Sequence, residues 1–148
     1  MKKFLFFVLL NLLLSTCSMP KIIIYEDPLT AFEHNNLGVV YLKQGKYELA
    51  EREFKKAIKK NPKWPIPYFN MGNLFYTLKE YDKAESYYRK AIEISPDNTD
   101  AINNLAYLLY EQKRLDEALK LIEMALKLKE RPEYLDTYEK IKRSLQNN

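Results

Sequence analysis

Apolar and polar positions along this chain recur at helical rather than strand spacing. In 31–44, His34, Leu37, Gly38 and Tyr41 gather on one side at 100° per residue, and the stretch 47–60 carries Ala50, Phe54 and Ala57. The pattern predicts amphipathic helices over 29–44, 47–60, 66–79, 81–94, 99–112, 115–128 and 133–146. Pro28, Pro65 and Pro67 are tolerated near helix starts, whereas Pro62 and Pro96 stop the helices before them. Gly45 ends the first helix, while the third turns at Lys79-Glu80 without a glycine. In the last helix Tyr134, Leu135, Tyr138, Ile141 and Leu145 are read as one face, ringed by Glu139, Lys140, Lys142 and Arg143.

The helices come in pairs with a period. Sliding the chain by 34 residues aligns 31–64 with 65–98 and gives nine identities, among them Asn36/Asn70, Gly38/Gly72, Ala50/Ala84 and Pro62/Pro96. A third unit, 99–132, keeps Asn104, Ala118 and Ala125 at the matching places. This gives repeats at 31–64, 65–98 and 99–132, and a capping helix at 133–148 that covers the apolar end of the stack. Gly38, Gly72 and Ala106 let the two helices of a unit approach closely, and Ala50, Ala84 and Ala118 do so from the other side.

Residues 1–17 differ in kind. Lys2 and Lys3 precede an apolar run, Phe4 to Leu14, broken only by Asn11. As a helix this run rises roughly 16 Å, half of a bilayer core of about 30 Å, which suits a signal peptide and is too short for a span. Leu14-Ser15-Thr16-Cys17 resembles the lipobox of bacterial lipoproteins, departing from it at Thr16, where Gly, Ala or Ser is usual. The resemblance implies cleavage before Cys17, acylation of its thiol, and lipid anchoring at a bacterial envelope membrane, facing the periplasm. Cleavage after Cys17, giving a secreted or soluble periplasmic protein, and an uncut anchor are the other readings. Residues 18–30 form a linker whose Ile22-Ile23-Ile24-Tyr25 is expected to pack on the first helix.

Composition narrows the chemistry. The 148 residues make room for one domain, 47% of them hydrophobic and 30% charged, and three glycines are too few for an all-β fold. The net charge of +4 is spread among interleaved acids and bases, with no basic face for nucleic acid. One cysteine and one histidine cannot assemble a transition-metal cluster, and His34 reads as a packed, hydrogen-bonded core residue. G-x-S-x-G, P-loop and dinucleotide motifs are missing. Glu48/Arg52, Glu51/Lys55, Glu85/Arg89 and Asp116/Lys120 read as solvated helix-face pairs. The expectation is a non-enzyme with no cofactor and no small-molecule substrate.

The repeat resembles the tetratricopeptide repeat. At that family's signature positions repeat 1 has His34, Leu37, Gly38, Tyr41, Ala50, Phe54, Ala57 and Pro62; repeat 2 has Tyr68, Met71, Gly72, Phe75, Ala84, Tyr88, Ala91 and Pro96. Repeat 3 has Ile102, Leu105, Ala106, Leu109, Ala118, Ile122 and Ala125, then Glu130 where proline is expected. The resemblance implies an all-α, right-handed superhelix whose concave groove binds peptides through the first helix of each repeat.

On that face lie Phe32, Asn35, Asn36, Val39, Leu42 and Lys43 of repeat 1, with Ile66, Phe69, Asn70, Asn73, Tyr76 and Thr77 of repeat 2. Repeat 3 adds Asp100, Asn103, Asn104, Tyr107, Tyr110 and Glu111. Only three of these 18 are charged, which points to neutral or apolar partner groups. Asn36, Asn70 and Asn104 form a row of amides that either contacts an extended backbone or braces neighbouring helices. The aromatics Phe69, Tyr76, Tyr107 and Tyr110 read as contacts. The carboxylate clamp of chaperone-binding relatives is matched here by Asn35, Val39, Asn70, Asp100 and Asn104; only Asn70 agrees, so an acidic C-terminus is not the expected ligand. The function expected is a protein-interaction adaptor or assembly factor; a structural subunit held by its convex or end faces is the alternative, and an unrecognised enzyme comes third.

Overall fold

The structure is a computed structural model that describes residues 27–147. The apolar leader, Cys17 and most of the 18–30 linker lie outside the described residues. Within them the chain forms α1 (Ala31–Lys43), α2 (Tyr47–Lys60), α3 (Pro65–Thr77), α4 (Tyr81–Ile94), α5 (Thr99–Glu111), α6 (Leu115–Leu128) and α7 (Pro132–Gln146). The second helix of each repeat spans the residues expected. No helix among the described residues is long and apolar enough to cross a membrane.

The first helices are shorter than their periodicity suggested, for identifiable reasons. Thr30 starts α1 through a capping box: its hydroxyl accepts from Glu33 N–H at 3.2 Å, and Glu33 accepts from Thr30 N–H at 2.7 Å. At the other end, Gly45, Lys79 and Lys113 all take positive φ, of 70°, 60° and 63°. They stand 34 residues apart, so the same left-handed turn closes α1, α3 and α5. In each, the next N–H reaches back five residues at 2.9 Å, as in Lys46 to the Tyr41 carbonyl, forming a Schellman motif. Two of the three turns use lysine where the backbone favours glycine.

Helices pair most extensively within a repeat. A Cβ added at Gly38 would come within 2.5 Å of the Phe54 ring, and one at Gly72 would overlap the Tyr88 ring. Ala50, Ala84 and Ala118 have no exposed surface. These contacts fix the register of α1 on α2, α3 on α4 and α5 on α6.

His34 is fully buried between two acids: Nδ1 lies 2.7 Å from Glu53 Oε2 and Nε2 lies 3.2 Å from Asp27 Oδ2. Burial raises the Glu53 carboxyl, but hydrogen bonds from His34, Arg52 and Lys56 outweigh it and hold the group below its ordinary value. Asp27 is also lowered: desolvation, which raises it, is outweighed by the Leu29 N–H and the Lys56 ammonium.

The cap presents the expected face except at Leu135: Tyr134 and Ile141 are buried, and Tyr138 and Leu145 pack half-buried against the core. α7 begins at Pro132, not 133, and buries Tyr134, Thr137 and Ile141, while Leu135 is 40% exposed. These three stand 32 residues after Ile102, Leu105 and Leu109 of α5, rather than 34. Only Lys129, Glu130 and Arg131 separate α6 from α7, one residue fewer than separates α2 from α3 or α4 from α5. The Tyr134 hydroxyl donates to Asp100 Oδ1 (2.7 Å) and accepts from the Thr99 hydroxyl (3.0 Å), and Arg131 reaches Asp100 at 2.8 Å, which ties the cap to α5.

Candidate functional site

The first helices line one side of the stack, α1 touching α3 and α5 touching α7. Asparagines bridge them. Asn70 Nδ2 donates to Asn35 Oδ1 at 2.8 Å, and Asn104 Nδ2 donates to Asn73 Oδ1 at 2.9 Å. Each repeat's asparagine therefore braces the first helix of the repeat before it. Asn36, in the first repeat, has no earlier repeat to brace among the described residues and is exposed. Asn35 is corrected as a groove residue: it is only 5% exposed, turned into the α1–α3 contact because Asn70 needs an acceptor there.

The second bridge is built differently. Asn73 Oδ1 already accepts from the Tyr88 hydroxyl at 2.8 Å as well as from Asn104, so both its lone pairs are used. Asn103 Nδ2 donates to Asn104 Oδ1 at 3.3 Å, while Asn103 Oδ1 is buried with no partner. This is a polar atom of the kind native proteins seldom leave unpaired.

Aromatic rings run alongside. Tyr76 stands 5.8 Å from Tyr81 and 6.4 Å from Tyr107, which stands 5.9 Å from Tyr110. Phe69 leans on Tyr88 at 6.1 Å, so its half-buried ring braces α3 on α4. Tyr76 donates to Glu111 Oε2 at 2.7 Å; burial, then that carboxylate, push its hydroxyl well above the ordinary tyrosine value. Burial does the same to Tyr88.

Where α3, α5 and α7 meet, Asn73, Tyr76, Asn103, Asn104 and Tyr107 line an open cleft of about 430 Å³. Five of the ten candidate groove residues are thus brought together, while Asn35, Asn36, Phe69, Asn70 and Tyr110 are not among its walls. The 34-residue period missed the rest of the lining. Glu133, Asp136 and Thr137 come from α7, and Tyr88 comes from the second helix of repeat 2. The signal that could have found the three α7 residues is the 32-residue spacing of buried positions from α5 into the cap.

Charge on the helix faces is also more connected than spacing suggested. Glu51 pairs with Lys55 at 2.6 Å as expected. Glu85 takes Arg89 at 2.7 Å and also Arg114, the residue that precedes α6, at 2.6 Å, which makes it a tie between repeats.

Two tetratricopeptide repeat family models match the sequence, over residues 35–99 and 75–141. Together with three helix pairs and a capping helix, they show that the chain belongs to the tetratricopeptide repeat family. Among solved structures, the chain is similar to the first TPR of Spaghetti (RPAP3) bound to the HSP90 peptide SRMEEVD, with a TM-score of 0.75 and 27% identity. That match covers 83% of this chain and 98% of the other. The NMR structure of the first TPR domain of human RPAP3 gives the same TM-score and identity over 79% of this chain and 93% of that one. No curated protein matches the sequence. Repeats of this family are typically non-enzymatic scaffolds, and the fold is that of a protein-interaction module.

Proposed function

We propose that this protein is an adaptor held at a bacterial envelope membrane by a lipid on Cys17, facing the periplasm. In this reading its concave groove grips an extended segment of a protein partner. The cleft walled by Tyr76, Tyr107 and the asparagines carries the proposal, because it joins aromatic surface to amides within reach of a peptide backbone. A similar domain holding the peptide SRMEEVD supports the mode of binding. The acidic character of that peptide does not carry over: Asp100 stands at one clamp position, and Asn35 at another is engaged with Asn70. The lipid rests on Leu14-Ser15-Thr16-Cys17 after a short apolar run.

A photo-crosslinking side chain placed at Tyr107 in living cells should capture a discrete partner, and one at Met124 should not. Labelled palmitate should enter the wild type and not Cys17→Ala. Capture from Met124 alone would favour a second reading, a structural subunit docked through α6 and the cap. Met124, Leu128 and Leu135, exposed by 37%, 53% and 40%, favour that alternative.

A further inference from the structure

We infer that the cap end of the groove is a socket for one basic side chain, arginine by preference, carried by the bound segment. This rests on the groove reading above and states what the partner must contain.

The 32-residue spacing between α5 and α7 places Asp136 where Asn70 and Asn104 stand in their own repeats. Those two asparagines each donate an N–H to the first helix of the repeat before. A carboxylate at the same register has no hydrogen to donate. The amide row therefore ends in acceptors: Asn103 Oδ1 is left without a partner, and Asp136 lines the same cleft. A donor entering between them relieves an otherwise unpaired buried oxygen.

The remaining walls select a charged donor over a neutral one. Glu133 adds a second carboxylate, and the rings of Tyr76 and Tyr107 offer aromatic surface. The chain's own Lys140 already marks the preference. Its ammonium sits 2.6 Å from Asp136 Oδ2 and 5.4 Å from the centre of the Tyr107 ring. Lys140 is exposed enough to swing away, and it leaves Asn103 Oδ1 unsatisfied. A guanidinium is planar, carries five N–H donors and stacks on aromatic rings, so it can reach the amide oxygen and a carboxylate together.

Random dodecapeptides displayed on phage and panned on the full chain in detergent test this. The selected peptides should share one arginine or lysine position. A synthetic selected peptide should lose about tenfold in affinity when that residue becomes glutamine. Asp136→Asn restores a donor facing Asn103, so it should remove the tenfold difference while the glutamine peptide binds as before. Lys140→Gln, which removes the resident ammonium, should tighten the basic peptide severalfold. Selected peptides with no basic position, or an arginine preference that survives Asp136→Asn, would overturn the socket and leave the groove standing. Failure to select any peptide would overturn both.

Discussion

Inside each repeat the helices meet through atoms that leave no room, whereas between repeats they meet through amides that can be paired or left over. At the first kind of contact Gly38 and Gly72 lie against the Phe54 and Tyr88 rings. At the second, Asn70 satisfies Asn35 completely enough to bury it, while Asn103 is left with a free oxygen. The difference separates two duties. Steric seams make the stack, and the polar row along the groove keeps an unsatisfied acceptor at the one end where no further repeat supplies a donor.

The seam should break hardest. Gly72→Ala drives a methyl into the Tyr88 ring, which cannot retreat freely because its hydroxyl is bonded to Asn73. We expect a loss of about 3 kcal/mol in urea unfolding. A loss near zero would mean that the seam has slack and that the contrast with the groove is false.

A smaller loss is spread over pH. Glu53 and Asp27 are held below their ordinary values of 4.5 and 3.8 in the folded chain. Their contribution is fully present above those values and is lost as pH falls through the lower folded ones. The urea midpoint should therefore fall on acidification below about pH 4.5, and Glu53→Gln should flatten that fall.

Much of this was legible in the sequence. The 34-residue period located α2, α4 and α6, and the small residues at 38, 72, 50 and 84 announced the seam. The groove was legible as a face but not as a network. Helical periodicity cannot say that Asn35 turns inward, because an asparagine beside a buried position satisfies either pattern. The turn at Lys79-Glu80 was legible, but the left-handed backbone that Lys79 and Lys113 share with Gly45 was not, since lysine carries no signal for positive φ. The cap's face was legible apart from Leu135 and its start was read one residue late, but Glu130 in place of the repeat's proline conceals a connection one residue shorter, and with it the arrival of Asp136 and Glu133 in the cleft.

Within the groove Asn35 and Asn103 should respond differently. Asn35→Ala removes the acceptor of Asn70 and should cost about 1–2 kcal/mol. Asn103→Leu deletes an unpaired oxygen together with only a long 3.3 Å bond to Asn104, so stability should stay within about 0.5 kcal/mol of wild type, as read by thermal unfolding. Equal losses would erase the distinction between the paired and unpaired ends. A modest gain, up to about 1 kcal/mol, should come from Lys79→Gly, which removes a lysine from the left-handed region.

The central claim is that the groove, and not the exposed apolar surface of α6, is the working face. The direct test is equilibrium titration of a selected peptide against Tyr107→Ala and against a Met124→Ser, Leu128→Ser double variant, each checked for unchanged unfolding. The account predicts that Tyr107→Ala weakens binding about thirtyfold, the loss expected of a buried aromatic anchor, and that the double variant binds as wild type. Normal binding by Tyr107→Ala together with lost binding by the double variant would contradict it.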